Sequence, residues 1–148
     1  MKTSTKYIGR KNDIMITTDY TGLLEFSFNN KIVTGIQKVI QSFIIHFFTK
    51  VNSKLISSAD GTVVGESFTA MVGYTQDTIK HFVNLAAFQA FDLVKDYELE
   101  SDPDDEKLSL IRLKGFSSER DRVSVSFYLE TQSGADIVFV VPITLPIK

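Results

Sequence analysis

The chain has no cysteine and no tryptophan, and only two histidines, His46 and His81. Missing thiols exclude disulfides and thiolate metal sites, and two histidines nearly exclude a histidine-rich zinc centre. An excess of one charge is missing too: 16 Lys and Arg against 18 Asp and Glu leave a net charge of -2 and a pI near 5.7. That balance gives no electrostatic case for nucleic acid or an anionic membrane surface. Long hydrophobic runs are also lacking. The stretch over residues 43–48 is interrupted by His46 and is far too short to span a bilayer. Residues 1–13 contain no apolar run of signal-peptide length. The expectation is a soluble protein used in a reducing compartment. What is present is a composition of 43% hydrophobic and 23% charged residues over 148 positions, with twelve Phe and five Tyr. Such a chain suits one domain, and a domain of this size buries roughly 70% of the surface its unfolded chain exposes.

Residues 1–13 carry Lys2, Lys6, Arg10 and Lys11 among few apolar groups and read as an extended N-terminal arm. Residues 14–148 then form the single domain. Residues 13–28 mix short apolar runs around Tyr20-Thr21-Gly22, which suggests two extended pieces and a turn. Over residues 34–51, Ile36, Val39, Ile40, Phe43, Ile44, Phe47, Phe48 and Val51 follow the spacing of one helical face. Thr34 and Gln37 have the spacing of a capping box at its start. Residues 52–74 are rich in turn formers, among them Gly61, Gly65 and Gly73, and predict a loop or hairpin. A second helix is predicted over 75–96, its face formed by Ile79, Phe82, Val83, Ala86, Ala87, Ala90, Phe91 and Val94, with Thr75 as N-cap.

Residues 96–106 hold seven carboxylates in eleven positions around Pro103 and read as a solvated connection. Beyond them the period falls from 3.6 to 2. Leu108, Leu110 and Leu113 mark a first strand; Val123, Val125, Phe127 and Leu129 alternate with polar residues in a second. Residues 137–141 form a continuous apolar run, which predicts a third strand covered on both faces. Residues 115–122 and 132–136 are the expected turns. The resulting fold class is α+β: two amphipathic helices packed on a C-terminal three-stranded antiparallel sheet.

Catalytic chemistry finds little support in these residues. Neither histidine lies in a nucleophile signature, and helical spacing places His46 near the edge of the wet side of its helix and His81 on the wet side of the second. The glycines fit neither a dinucleotide fingerprint nor a phosphate loop. The acidic run lacks the sixth-position glycine and the ordered Asp/Asn alternation of a calcium loop. Carboxylates for glycoside hydrolysis exist, Glu98 with one of Glu66, Glu100 or Glu130, but any chain of this length supplies as many. No cofactor is expected.

Apolar residues outside the helical stripes are more informative. Ile45 lies opposite Ile36, while Leu85 and Phe88 sit one turn apart, away from the main face of the second helix. They suggest a second contact surface. The run Ile137, Val138, Phe139, Val140 and Val141 would form a hazardous free edge unless another chain pairs with it.

The segment Phe48-Thr49-Lys50-Val51-Asn52-Ser53, followed by Gly61-Thr62, resembles the baseplate-wedge or sheath-initiator family of contractile phage tails, to which a lysozyme-like component of the type VI secretion baseplate is related. The resemblance covers roughly residues 30–145. Asn52 stands where the family usually has Gly, and Tyr97-Glu98-Leu99-Glu100 replaces its Glu-Pro-Arg signature, with Glu98 matching the Glu alone. The resemblance implies a non-enzymatic structural subunit of the virion, present in several copies in a symmetric assembly and formed in the host cytoplasm. Its implied partners are the tail sheath subunit, the tail tube and baseplate wedge proteins, with neither nucleic acid nor membrane. The C-terminal strands would template the first sheath ring. Two other readings stand beside it: a small cell-wall glycosidase using Glu98, and an adaptor domain that binds through Leu85 and Phe88.

Overall fold

The apolar spacing over residues 34–51 builds helix α1, Ile36–Phe48; Ile36, Val39, Ile40, Phe43, Ile44 and Phe47 are each at most 3% exposed. This computed structural model describes residues 13–14, 32–49, 62, 74–119 and 122–144. The arm over 1–12 and the loop over 52–74, apart from Thr62 and Tyr74, therefore lie outside the described residues. Asp13, assigned to the arm from sequence, begins strand β1, Asp13–Ile14, which pairs antiparallel with β2, Ile32–Val33.

The capping box expected at Thr34 and Gln37 does not form. Gly35 is the N-cap of α1 and makes no side-chain cap bond; its φ of 66° and ψ of -146° belong to a region that glycine alone occupies readily. Its partner lies 71 residues away. The Glu106 carboxylate accepts the Gly35 N–H at 3.1 Å through Oε1 and the Lys38 ammonium at 3.0 Å through Oε2. A negative charge there satisfies an otherwise orphaned helix amide and complements the helix dipole.

Helix α2, Gln76–Tyr97, lies one residue from its expected limits. The Thr75 hydroxyl accepts the Thr78 N–H at 3.3 Å, and Ile79, Val83, Ala86, Ala87, Ala90 and Val94 are buried. Phe82 and Phe91 are half-buried against the same core.

The acidic connection is not the solvated linker that its composition predicts. It includes a 3-10 turn, Asp104–Glu106, with Asp105 and Glu106 only 4% and 7% exposed. Backbone capping accounts for the burial of Glu106. Glu98 acts in the same way: its carboxylate accepts the Leu108 N–H and pairs with Lys95 at 2.6 Å. Asp102 turns back to accept the Leu99 N–H at 2.8 Å.

Strands β3 (Leu108–Glu119), β4 (Arg122–Thr131) and β5 (Asp136–Thr144) form an antiparallel meander in that order. Residues 115–119, expected in a turn, continue β3 and pair with residues 122–126 of β4; the ladder has two irregularities, between Leu108 and Leu110 and between Leu113 and Gly115. The second hairpin closes through Gly134 at φ 82°, with the Thr131 N–H donating to the Ala135 carbonyl at 2.9 Å.

Both helices lie on one face of this sheet, α1 over β4 and α2 over β3. The centre is aromatic: Phe127 of β4 meets Phe43 at 5.3 Å and Phe47 at 5.6 Å, edge to face, while Phe139 of β5 lies 5.8 Å from Phe127. On the opposite face Val138 is 54% exposed. β5 is thus covered on one face, not two, and its uninterrupted apolar run does not reflect two-sided burial. His46, expected near the edge of the wet side, is 5% exposed, and the ring of Tyr97 at the end of α2 stacks on it with centroids 5.3 Å apart. His81 is exposed, as its position on the helix predicts.

Candidate interaction surfaces

An antiparallel ladder turns the peptide groups of alternate residues toward one neighbour and those of the others away from it. Leu108 turns outward: its N–H meets Glu98 and its carbonyl accepts Lys95 Nζ at 3.0 Å. The two irregularities shift the alternation, so the outward residues of β3 are Leu108, Ile111, Leu113, Phe116 and Ser118. Ser118 fits this count, since its carbonyl accepts Gln76 Nε2 at 3.3 Å. Carried across β4 to β5, the same alternation turns Val138, Val140 and Pro142 outward. Proline has no N–H to offer, and an outward position on an edge strand is where its absence breaks no ladder bond. Both edges of the sheet are open among the described residues. Ile111, Leu113 and Phe116 on one side, and Val138 and Val140 on the other, have no partner there for their outward peptide groups.

The residues singled out from sequence fall into separate places. In β5, Phe139 and Val141 are each 1% exposed and point into the core, Ile137 packs against that core, and Val138 and Val140 lie on the open face. Only the strand edge and the open face can meet a partner without unpacking the domain. Ile45 is half-buried on α1. Leu85 and Phe88 are exposed on α2, Phe88 at 60%. Glu98 is engaged inside the chain by Lys95 and Leu108, and its side chain is 11% exposed.

Phe88 borders a groove of about 250 Å³ between α2 and β3, together with Asn84, Ala87, Ile111, Arg112 and Leu113. The sequence pattern marks Leu108, Leu110 and Leu113 as strand residues and leaves out Ile111, which lines this groove. The structure buries Ile111 and leaves Leu110 half-buried. The spacing of Leu108, Ile111, Leu113 and Phe116, in steps of three and two, was the available signal for a bulged strand.

A second cleft, about 230 Å³, opens between the start of α1 and the end of α2 and carries Glu98, Asp102 and Glu106. Each of these carboxylates is already bound to a backbone amide. Among the described residues no group of three or more His, Asp or Glu side chains is arranged to hold a metal ion, and no helix is long and apolar enough to cross a membrane.

The open face of the sheet carries a polar cluster. The Tyr128 hydroxyl lies 3.1 Å from Glu130 Oε2 and 3.4 Å from Asp136 Oδ2, and Lys114 sits 5.8 Å from its ring centroid. Desolvation between neighbouring strands, then the two carboxylates, raise the Tyr128 phenol above its ordinary pKa of 10.0.

Fold and surfaces together define an α+β domain: two helices laid on one face of a three-stranded meander whose two outer edges are open among the described residues. No family model, no curated protein and no solved structure matches the chain.

Proposed function

We propose that the chain is a structural baseplate subunit of a contractile phage tail, which initiates sheath assembly by pairing its C-terminal strands with the sheath subunit. The observation that carries this reading is the edge of β5. Val138 and Val140 present peptide groups that are unpartnered among the described residues, beside an exposed apolar side chain, at the end of a sheet whose other face is anchored by Phe127 and Phe139. A rigid sheet with an open, partly apolar edge is suited to adding a strand from another protein. Pro142 limits that pairing to the stretch before it, which gives the added strand a defined register. The sequence resemblance over residues 30–145 supplies the identity of the partner.

Seeded assembly tests the proposal. Purified sheath subunit mixed with this protein is expected to polymerise without the lag seen for sheath subunit alone. An unchanged lag, with no complex on size exclusion, would remove the reading. Exposure of Leu85 and Phe88 favours a second possibility, an adaptor domain unrelated to phage tails. Leu85→Ser with Phe88→Ser would then abolish partner binding while leaving seeded polymerisation absent from the start.

A further inference from the structure

The two sheet edges are built differently, and the edge away from β5 is the more elaborate. Beside β3, helix α2 runs as a wall. At one end Lys95 binds the Leu108 carbonyl; at the other, Gln76 binds that of Ser118. Between these closures the peptide groups of Ile111, Leu113 and Phe116 turn outward with no partner among the described residues. The open stretch from 111 to 116, which faces residues 125–129 of β4, spans about 15 Å, room for a strand of about five residues. Its floor is the groove lined by Ala87, Phe88, Ile111 and Leu113; Arg112 borders it too, while its register opposite Tyr128 gives it the strand position that alternates to the other face. Arg112 is exposed and takes part in no ion pair among the described residues.

From this geometry we infer that the slot between α2 and β3 accepts an extended segment of a partner protein as an added strand, with an acidic side chain flanked on both sides by apolar ones. Alternation assigns the positions. Side chains on the helix-facing side of the added strand enter the apolar groove beside Phe88, and the one between them stands next to Arg112 on the opposite face. An acidic residue there gains a cross-strand charge partner; a basic residue there meets a like charge. Main-chain bonds to Ile111 and Leu113 hold the segment, and the groove and Arg112 select it. This site lies at the opposite edge of the sheet from the proposed sheath contact and does not depend on it.

The test is selection of a displayed library of random eight-residue peptides on the full chain, followed by amide hydrogen exchange with the best synthetic peptide. Enriched peptides are expected to share an apolar–acidic–apolar core. Their binding slows exchange at Ile111, Leu113 and Phe116. Phe88→Ser weakens binding, and Arg112→Glu weakens it about tenfold, or about 1.4 kcal/mol, while peptides with a basic centre bind the Arg112→Glu variant better than the parent. Both positions are exposed, so circular dichroism is expected to be unchanged. The inference is overturned by any of three results: no enrichment over an unrelated protein, protection confined to Val138 and Val140, or self-association that protects the β3 edge without peptide. Protection at Val138 and Val140 would leave the sheath reading standing; failed seeding with peptide bound at β3 would leave this one.

Discussion

At the scale of single residues, Glu106 does the most to join distant parts of the chain. Its nearly buried carboxylate ties the first turn of α1 to the 3-10 turn before β3 through Gly35 and Lys38. Glu106→Ala removes the acceptor of the Gly35 amide and the carboxylate that pairs with Lys38, and is expected to cost about 3 kcal/mol in urea unfolding. Glu106→Gln retains an acceptor without the charge and should cost about half as much. An equal cost for the two variants would show that the charge, not the acceptor, carries the interaction. Tyr128 sets a pH dependence. Its phenol has a raised pKa in the folded chain, so its contribution is fully present below the unfolded value of 10.0 and is lost as pH rises through the higher folded value. Stability measured by denaturant should therefore fall above pH 10 in the parent and fall less steeply in Tyr128→Phe. None of these roles was legible in the sequence. A carboxylate inside an acidic run reads as solvated, and nothing local shows that its partner stands 71 positions earlier.

At the scale of elements, the helices were legible and the strands only partly so. Helical periodicity and the Thr75 cap are local signals, and α2 follows them to within one residue. Thr75→Ala should cost about 1 kcal/mol by thermal or urea unfolding, because the Thr78 amide loses its acceptor. β4 alternates cleanly because it is central: its odd-numbered residues from Val123 to Thr131 are buried, and the even-numbered ones between them are half-buried. Phe127, which touches aromatic rings of α1 and β5, should cost 3–5 kcal/mol as Phe127→Ala, the range typical of a fully buried aromatic. β3 departs from strict alternation at its two irregularities, so the leucines that mark it in the sequence do not include Ile111, which the structure buries. His46 was misplaced for another reason. Helical geometry identifies the side of α1 it occupies, but not that Tyr97, 51 residues later, covers that side.

At the scale of the whole molecule, the architecture divides the work between a packed interior and two strand edges that are unpaired among the described residues. Burial of Phe139, Val141 and Ile143 makes removal of β5 an ambiguous experiment, since truncation would open the core along with the edge. A substitution at an outward position separates the two. Val140 turns its N–H away from β4, so Val140→Pro removes an edge donor without breaking a bond of the existing ladder, as Pro142 already does two residues later. The most direct measurement is seeded polymerisation of purified sheath subunit by the parent and by Val140→Pro, with thermal unfolding of both as the control for folding. Strand pairing through β5 predicts a variant that unfolds close to the parent temperature but has lost the power to shorten the lag. A folded Val140→Pro variant that seeds as well as the parent would contradict it.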